Sequence, residues 1–417
     1  MIPRAHFSAS VLNEGTGQQA LAQLRGRFLS VNQGRLARAM EGLAPRQQTL
    51  LRLLALFFHV NHPLLPGYVS DCTPAGVSGY EPDAATLATA RQLIRDFSCS
   101  KRGGCPSQPI HGLFLMGSLG TLAQTAQSDI DVWICLAPDL SNAAVSALRK
   151  KCRRLEAWAM SQGSEAHLFL IDAQLRNDEG GDPRQRLLLD EFYRTAIWLA
   201  GRTPMWWWVP VQEEARYAEF ACGLVTAGMV DRDEIIDLGH LAHINCGEFS
   251  GAGLWQLFKG IESPYKSLLK LLLIEVYASE HPQVNCLSLG FKQRVYDNQL
   301  DLDELDPYVV VYRRIECYLK RRGELQRLEL VRRSLYLKVD HALSNGEVDT
   351  QWQRRLLKRL TREWGWDEQH LALLDHRSQW QAQQVSHERR ALALARELSA
   401  SYRSLRQFAR DGQVPAQ

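Results

Sequence analysis

The spacing of apolar residues predicts helices in the N-terminal part of the chain. Leu24, Phe28, Val31 and Leu36 recur at roughly helical intervals and form one apolar face. A loop rich in Pro, Gly, Ser and Asp over 63–80 interrupts this pattern. The predicted helices cover residues 21–40, 46–59 and 82–97.

A strand-like alternation then replaces the helical period in the next part of the chain. Ile130, Val132 and Ile134 alternate with other side chains, which predicts a strand with one buried face. Ser141 or Asn142 is a suitable N-cap for the helix that follows. Strand, loop, strand, helix and strand is the order of a compact α/β unit. The predicted elements are strands over 112–116, 129–136 and 165–172 and a helix over 144–162.

The chain from residue 187 onward is predicted to be mainly helical, because apolar residues return to the helical period. Together with the strand-rich unit, this pattern predicts an α+β protein in which helices flank a small mixed sheet and a large, mainly helical domain follows. The predicted helices cover residues 187–200, 212–227, 231–241, 264–278, 307–322, 325–344, 350–363 and 378–410.

The composition is that of an ordinary globular protein, with 45% hydrophobic and 23% charged residues among 417. The formal net charge is only +3, so a small phosphorylated substrate fits better than a long nucleic acid. The nine Cys include no Cys-x-x-Cys pair, which predicts reduced thiols. The sequence shows neither a signal peptide nor a membrane span. We therefore expect a soluble, cytoplasmic protein that binds no nucleic acid.

The most specific motif is Gly117-Ser118, followed after a loop by Asp129-Ile130-Asp131. Residues two apart in a strand project to the same face, so the carboxylates of Asp129 and Asp131 lie side by side. A cation between them relieves their repulsion, and oxygen ligands suit Mg²⁺ or Mn²⁺. Gly117 allows close approach of a ligand to the backbone, and Ser118 can bind phosphate. This spacing is typical of nucleotidyltransferases, whereas an Asp-x-Asp alone also fits the wet face of a strand.

A site for two metal ions needs a third carboxylate from a neighbouring strand. Glu165 begins the next predicted strand and shares a face with His167 and Phe169, whereas Asp172 ends that strand on the opposite face. We favour Glu165 as the third acid and keep Asp172 as the alternative.

A second cluster begins at Ser263-Pro264, which suits an N-cap and the first position of a helix. Lys266 and Lys270 lie four residues apart, so both occupy one face near the positive end of that helix. They are candidates for triphosphate binding. The alternative is an ordinary solvated face above a Leu-rich core.

Other residues leave a functional and a structural interpretation open. Arg194 can reach a phosphate or form a structural ion pair. Trp133 lies two residues after Asp131, on the same strand face, and can pack against a nucleotide. The run of Trp206, Trp207 and Trp208 fits buried packing better than base stacking.

At these residues the sequence resembles the class I adenylate cyclases of enterobacteria and related proteobacteria, which belong to the DNA polymerase beta-like nucleotidyltransferase superfamily. The family core, Met-Gly-Ser and then Ser-Asp-Leu-Asp-Ile-Trp-Val-Cys, stands here at 116–118 and 128–135. Further matches cover nearly the whole chain and lie at His62–Leu64, Pro66–Tyr68, Phe169–Asp172, Leu187–Ala196, Leu254–Leu257, Ser263–Lys266, Asp306–Tyr308 and Glu363–Glu368.

The resemblance implies that the protein converts ATP to 3′,5′-cyclic AMP and pyrophosphate with two Mg²⁺ or Mn²⁺ ions. It implies that Asp129 and Asp131 are metal ligands and catalytic residues, and it supports Glu165 as the third carboxylate. It also implies that Gly117 and Ser118 hold phosphate.

The same resemblance implies that Lys266 and Lys270 contact the triphosphate and that Trp133 and Asp306 are functional positions. Members of the family continue into a regulatory region linked to the sugar phosphotransferase system, so this chain looks like the catalytic part of a longer protein. The expected divisions are an N-terminal helical segment at 1–97, a nucleotidyltransferase-like core at 98–200, a helical nucleotide-binding domain at 201–375 and a C-terminal helix at 376–417.

Two other functions remain open on the sequence. A related nucleotidyltransferase that modifies a separate acceptor has the same metal motif. A nucleotide-binding module without activity is disfavoured, because the three acids and Ser118 are all present.

Overall fold

The structure is a computed structural model that describes residues 14–95, 97, 108–172, 185–345, 351–379 and 384–411. The predicted N-terminal helices are present as α1 (Glu14–Glu41), α2 (Pro45–His59) and α3 (Ala84–Leu93). Asp83 caps α3 by accepting a hydrogen bond from the Thr86 amide.

The predicted strand-rich unit is confirmed and gains a fourth strand. Its elements are β1 (Ile110–Met116), β2 (Ile130–Leu136), α4 (Asn142–Ser161), β3 (Ala166–Asp172), α5 (Gln185–Thr195) and β4 (Ile197–Gly201). The strand order is β3-β2-β1-β4. β1 is antiparallel to both of its neighbours, and β2 is parallel to β3, so the sheet is mixed as predicted. Ser141 caps α4 through the Ala144 amide.

The predicted helix over 187–200 is wrong in its second half. The helix ends at Thr195, and the next residues form β4 at the edge of the sheet beside β1. A short apolar run such as Ile197–Gly201 fits either a helix or a strand by its periodicity. Pairing with the free edge of β1 decides between them, and this long-range contact leaves no local signal.

Helices dominate the rest of the described chain. They are α6 (Tyr217–Thr226), α7 (Cys246–Lys259), α8 (Pro264–Glu280), α9 (Leu287–Tyr296), α10 (Pro307–Arg321), α11 (Leu325–Val339), α12 (Trp352–Glu363), α13 (Glu368–Gln379) and α14 (Gln384–Asp411). The predictions that begin at 264, 307, 325 and 350 are confirmed, whereas α7 and α9 were not predicted.

Two other predicted helices need correction. The stretch 231–241 holds a 3-10 turn at Arg232–Glu234 and a short strand β6 (Ile235–Ile236), which pairs with β5 (Thr203–Pro204). The stretch 378–410 is divided between α13 and α14, and residues 380–383 lie outside the described part. None of the helices in the described residues combines the length and hydropathy that crossing a bilayer requires.

The sheet has two buried faces, each against a different core. Val132 and Ile134 of β2 pack with α2 and α4, where Phe57 and Leu148 are fully buried. Phe114 and Cys135 project the other way, into a core that joins α1 and α5 with the later helices. Asp131 and Trp133 alternate with the first set, so the acidic face of β2 is turned towards the helical part of the molecule.

The run of three Trp residues lies in a buried 3-10 turn, Met205–Trp208, as the packing interpretation predicted. Trp206 stacks on Tyr193 with ring centroids 4.2 Å apart, and Trp207 stacks on Phe28 at 4.9 Å. These rings join α1 and α5 to the turn, and no base-stacking role is needed to explain them.

The end of β4 approaches β1 so closely that only glycine fits. Gly201 has φ +93°, and a Cβ there would lie 2.4 Å from the His111 carbonyl oxygen and 2.7 Å from Gly112 Cα. We expect Gly201→Ala to lower the free energy of unfolding by about 3 kcal/mol in urea titrations. The control is Gly163→Ala, where φ is +77° but nothing lies within 4 Å of the added Cβ; there we expect about 1 kcal/mol. Equal losses would contradict this reading of the sheet edge.

Candidate active site

The loop between β1 and β2 closes tightly on itself. Gly117 has φ +91°, and a Cβ there would lie 3.3 Å from the Asp131 carboxylate, so glycine suits both the turn and its close neighbour. Ser118 donates a hydrogen bond to the Ser128 hydroxyl at 3.0 Å, and the Thr125 amide donates to the same oxygen at 3.0 Å. The loop therefore ends directly before Asp129. The Ser118 hydroxyl is buried and takes part in this closure.

The middle of the loop is held by side chains from two distant elements and by one side chain of the loop itself. Asp306, before α10, accepts a hydrogen bond from the Leu122 amide at 2.7 Å. Lys338 of α11 donates to the Ala123 carbonyl at 3.1 Å. The side-chain amide of Gln124 donates to a carbonyl of α1 at 2.9 Å. These bonds fix the loop against both the N-terminal and the later helices.

The Asp306 side chain joins the start of α10 to the loop between β1 and β2. One carboxylate oxygen caps α10 through the Tyr308 and Val309 amides, and the other accepts from the Leu122 amide. The side chain is buried, and burial raises its pKa to about 6 although the amide bonds and Arg35 oppose the increase. Both oxygens of Asp306 therefore bind backbone amides of the protein.

The two acids of the motif lie where β2 begins. Asp131 is level with Met116 of β1 and with His167 of β3, and Asp129 immediately precedes the strand. Burial raises the pKa of Asp131, the nearby Lys266 and His167 lower it, and Asp129 raises it further, so the net shift is upward. The pair is thus a partly desolvated site of negative charge.

The parallel register separates the two candidates for the third acid. Ile130 pairs with Ala166, so Asp129 lies level with Glu165, whereas Asp172 pairs with Leu136 at the far end of β2. At about 3.3 Å per residue, Asp172 is roughly 16 Å along the sheet from the level of Asp131.

Glu165 itself lies just before β3 and is exposed. Its carboxylate is 3.3 Å from His167 Nε2. Within the described residues, no group of three or more His, Cys, Asp or Glu is arranged to hold a metal ion. The protein thus provides a pair of acids at this point, with Glu165 beside them.

Helix α8 begins at Pro264, as predicted, but the Ser263 side chain makes no capping hydrogen bond. Tyr308 raises the pKa of Lys266, burial lowers it, and Glu191 raises it again, so the net shift is upward. One turn later, Lys270 donates to Glu191 at 2.6 Å. The two lysines therefore have different surroundings although they share a helix face.

Helix α5 carries the partners that tie the site to the helical core. Asp190 accepts hydrogen bonds from Arg194 Nε at 3.3 Å, the Tyr277 hydroxyl at 2.9 Å and the Ser288 hydroxyl at 2.7 Å. The buried Arg194 is thus in the structural ion pair that the sequence left open as an alternative. Phe192 stacks on Trp133 with centroids 4.8 Å apart, so one face of that indole is already covered.

The structure brings Gly117, Asp129, Asp131 and Lys266 into one region, and around this region other predicted residues bond to protein partners. Those engaged with protein partners are Ser118, Arg194, Lys270 and Asp306. The roles predicted for all of these residues and for Trp133 stay predictions.

Sequence reasoning did not select four residues of the region: Ser128, His167, Glu191 and Lys338. Ser128 had a signal, because it belongs to the quoted Ser-Asp-Ile-Asp motif. Glu191 lies inside the matched range Leu187–Ala196, but no role was predicted for it. Lys338 had no local signal, since its position depends on how α11 packs.

The two functions of Asp306 predict its stability effect. Asp306→Ala removes a helix cap and also leaves the buried Leu122 amide without an acceptor, so we expect a loss of about 3 kcal/mol in the free energy of unfolding. Asp83→Ala is the matched control, because Asp83 caps the first turn of α3 through the Thr86 amide and joins no distant segment of the described chain. We expect about 1 kcal/mol there. Similar losses in urea titrations of the two variants would contradict the proposal that Asp306 joins α10 to the loop.

Comparisons with known proteins identify the family of this chain. The family model "Adenylate cyclase NT domain" matches residues 20–207, and "Adenylate cyclase, class-I, second domain" matches residues 244–417. No solved structure matches the chain.

Relatives named "Adenylate cyclase" align with nearly the whole chain. The protein of Salmonella typhimurium is 38% identical over 402 residues, which cover 93% of this chain and 47% of that protein. The Escherichia coli K12 protein is 38% identical over 397 residues with the same shares, and the Proteus mirabilis protein is 35% identical over 401 residues. The chain spans about half the length of these relatives. Since two models of one family match successive parts of it, the chain belongs to the class I adenylate cyclase family.

Proposed function

We propose that this chain is the catalytic part of an adenylate cyclase, which converts ATP to 3′,5′-cyclic AMP and pyrophosphate. The observation that carries the proposal is the acid pair Asp129 and Asp131, which adjoins the glycine turn at Gly117 and the cationic side chain of Lys266. Negative groups for a metal and positive groups for phosphates thus occur together. The relatives named "Adenylate cyclase" support the choice of reaction.

The acid pair fits a divalent metal ion. Burial and the neighbouring Asp129 both raise the pKa of Asp131, and a bound cation relieves this cost by stabilising both ionised carboxylates. Mg²⁺ commonly takes one or two protein carboxylates and completes its shell with water and substrate phosphates. Asp129 and Asp131 would therefore hold the metal, and Glu165 is the proposed third ligand. We propose two ions, Mg²⁺ or Mn²⁺, as in other two-metal sites.

The reaction replaces a phosphoanhydride bond of ATP with a phosphoester bond. The ribose 3′ oxygen bonds to the α-phosphorus, the bond from that phosphorus to the α–β bridging oxygen breaks, and pyrophosphate leaves with the electron pair. The 3′-hydroxyl proton passes to water. When bound, the metal supplies Lewis-acid stabilisation of the phosphate charge and lowers the pKa of a coordinated hydroxyl.

This chain's residues bind and orient the nucleotide. The turn at Gly117 lets the backbone approach a phosphate, and Lys266 offsets negative charge on the triphosphate. Because nucleophile and phosphorus belong to one molecule, the main requirement is a folded nucleotide conformation. The rigid loop, held by Asp306 and Lys338, provides a fixed wall for that conformation.

Other expectations from the sequence also remain proposals. A phosphotransferase-system protein would regulate the enzyme through a region of the relatives that this chain does not cover. A cytoplasmic location and the absence of a nucleic acid partner are proposed on the reduced-thiol pattern and the net charge of +3.

Incubation with ATP and MgCl₂ alone tests the activity. We expect cyclic AMP and pyrophosphate in equal amounts, because the acceptor hydroxyl is part of the substrate. A related enzyme with a separate acceptor would form no cyclic AMP under these conditions. Transfer of AMP to an added alcohol or RNA end, without cyclic product, would contradict the proposal.

The acid pair predicts loss of turnover without loss of fold. We expect Asp129→Asn and Asp131→Asn each to lower kcat at least about 100-fold, because a metal contributes several kcal/mol to transition-state stabilisation. Asp139→Asn, in the exposed turn after β2, is the control and should retain normal kcat. A near-normal kcat in either site variant would remove that residue from the metal site.

The register predicts which acid completes the pair. Glu165→Gln should lower kcat at least about tenfold, since Glu165 is level with Asp129, whereas Asp172→Asn should stay within about twofold of the parent. The measurement is kcat at saturating ATP over a titration of Mg²⁺. The reverse order of the two variants would make Asp172 the third acid.

A further inference from the structure

Three lysines surround the acid pair, and their bonding partners differ. Lys266 and Lys270 come from the first turns of α8, and Lys338 comes from the last turn of α11. Lys266 and Lys270 both act on the charge of Asp131, while Lys338 is close enough to Lys266 and Asp129 for their charges to shift its pKa. The sequence predicted a phosphate-binding pair from α8 alone.

Lys270 is already neutralised by a protein carboxylate. Its ammonium nitrogen is 2.6 Å from Glu191, and both side chains are largely shielded, with 23% and 20% of their surface exposed. Burial alone would raise the pKa of Glu191, but Lys270 and Arg194 lower it to about 2. Breaking a shielded ion pair leaves an uncompensated charge and is costly, so Lys270 is a poor candidate for release to a substrate.

Lys266 and Lys338 have donors to spare. Among the described residues, the Lys266 side chain makes no hydrogen bond or ion pair, and the Lys338 side chain donates only to the Ala123 carbonyl at 3.1 Å. An ammonium group has three N–H donors, so at least two on Lys338 are uncommitted. The bond to Ala123 also places this ammonium on the loop between Gly117 and Ser128, beside the acid pair.

The two ammonium groups repel each other across this region. Burial lowers the pKa of Lys338, and the charge of Lys266 lowers it further. Like charges held close together favour a counter-ion between them, as the two carboxylates favour a cation. A polyphosphate chain carries that negative charge over several atoms and can meet both groups at once.

We propose that Lys338 acts with Lys266 as the second cation that binds the triphosphate, whereas Lys270 has a structural role in its ion pair with Glu191. This inference deepens the proposed function and rests on it for the identity of the substrate. The bond from Lys338 to the Ala123 carbonyl holds its ammonium group at the loop beside the acid pair. Helix α11 therefore contributes a residue directly to the nucleotide site.

The first experiment measures binding without turnover. The dissociation constant of α,β-methylene-ATP with Mg²⁺ is obtained by calorimetry for the parent chain and for Lys338→Gln, Lys270→Gln, Glu191→Gln and the double variant Glu191→Gln/Lys270→Gln. Lys338→Gln should weaken binding about tenfold or more, as expected for loss of a charge-assisted contact. Lys320→Gln is the control with no expected change, since the Lys320 side chain is 55% exposed and pairs with Glu316 of its own helix α10.

The Glu191–Lys270 pair should behave as a unit. We expect the double variant to bind no more weakly than the worse of its single variants, because each change breaks the same contact. Glu191→Gln should not tighten binding, since Lys270 is not a phosphate ligand waiting for release. Tighter binding in Glu191→Gln, or normal binding in Lys338→Gln alongside a tenfold loss in Lys270→Gln, would overturn the proposal.

The second experiment needs no variant and so does not depend on the folding of Lys338→Gln. The parent chain is acetylated briefly with and without inorganic tripolyphosphate and Mg²⁺, and modification is measured for each lysine by mass spectrometry. Lys266 and Lys338 should be protected by tripolyphosphate, whereas Lys270 should show no change. Equal labelling of Lys338 in both conditions would contradict the inference. Protection without cyclic AMP formation would instead keep this binding site and refute the proposed reaction.

Discussion

Two carboxylates at the start of β2 repel each other, and this concentration of negative charge determines which groups can lie next to them. Asp131 lies on β2 and Asp129 immediately precedes it; burial, with a smaller contribution from the Asp129 charge, raises the pKa of Asp131. The fold places this pair near α8 and α11, which carry lysines. If those lysines formed ion pairs with both carboxylates, no negative charge would remain to hold a metal. An acid pair and free ammonium groups held near each other are complementary to a metal–polyphosphate complex, which has both signs of charge.

Helix α5 connects the candidate site to the surrounding helices and to the sheet. Asp190 accepts three side-chain hydrogen bonds from residues of α5, α8 and α9, while Phe192 stacks on Trp133 of the sheet. Between them, Glu191 fixes Lys270. One helix thus joins the acidic strand to the cationic helix, and small movements of α5 would change the distance between opposite charges.

Local sequence signals predicted the parts of the fold that depend on local interactions. The three strands of the central unit, α4 with its Ser141 cap and the start of α8 at Pro264 all follow from periodicity and capping chemistry. Strand β4 did not, because an edge strand is stabilised by a partner far away in sequence. The short strand β6 was hidden for the same reason inside a predicted helix.

The residues of the candidate site differ in the same way: some could be predicted from local sequence, and others depend on long-range packing. The carboxylate pair and the glycine turn belong to one short stretch of sequence, 117–131, so their chemistry could be interpreted directly. The different environments of Lys266 and Lys270 could not be predicted, because the residue that distinguishes them, Glu191, belongs to another helix. Lys338 is more distant still, since its position near Ala123 depends on how α11 packs.

The most direct test of this account is to locate the metal beside the substrate. Crystals of this chain with Mn²⁺ and α,β-methylene-ATP give an anomalous signal that identifies the metal by its own scattering. We expect a peak within about 2.2 Å of carboxylate oxygens of both Asp129 and Asp131, with substrate phosphate completing the shell. A substrate-bound Mn²⁺ held elsewhere, with both carboxylates free of metal, would contradict it.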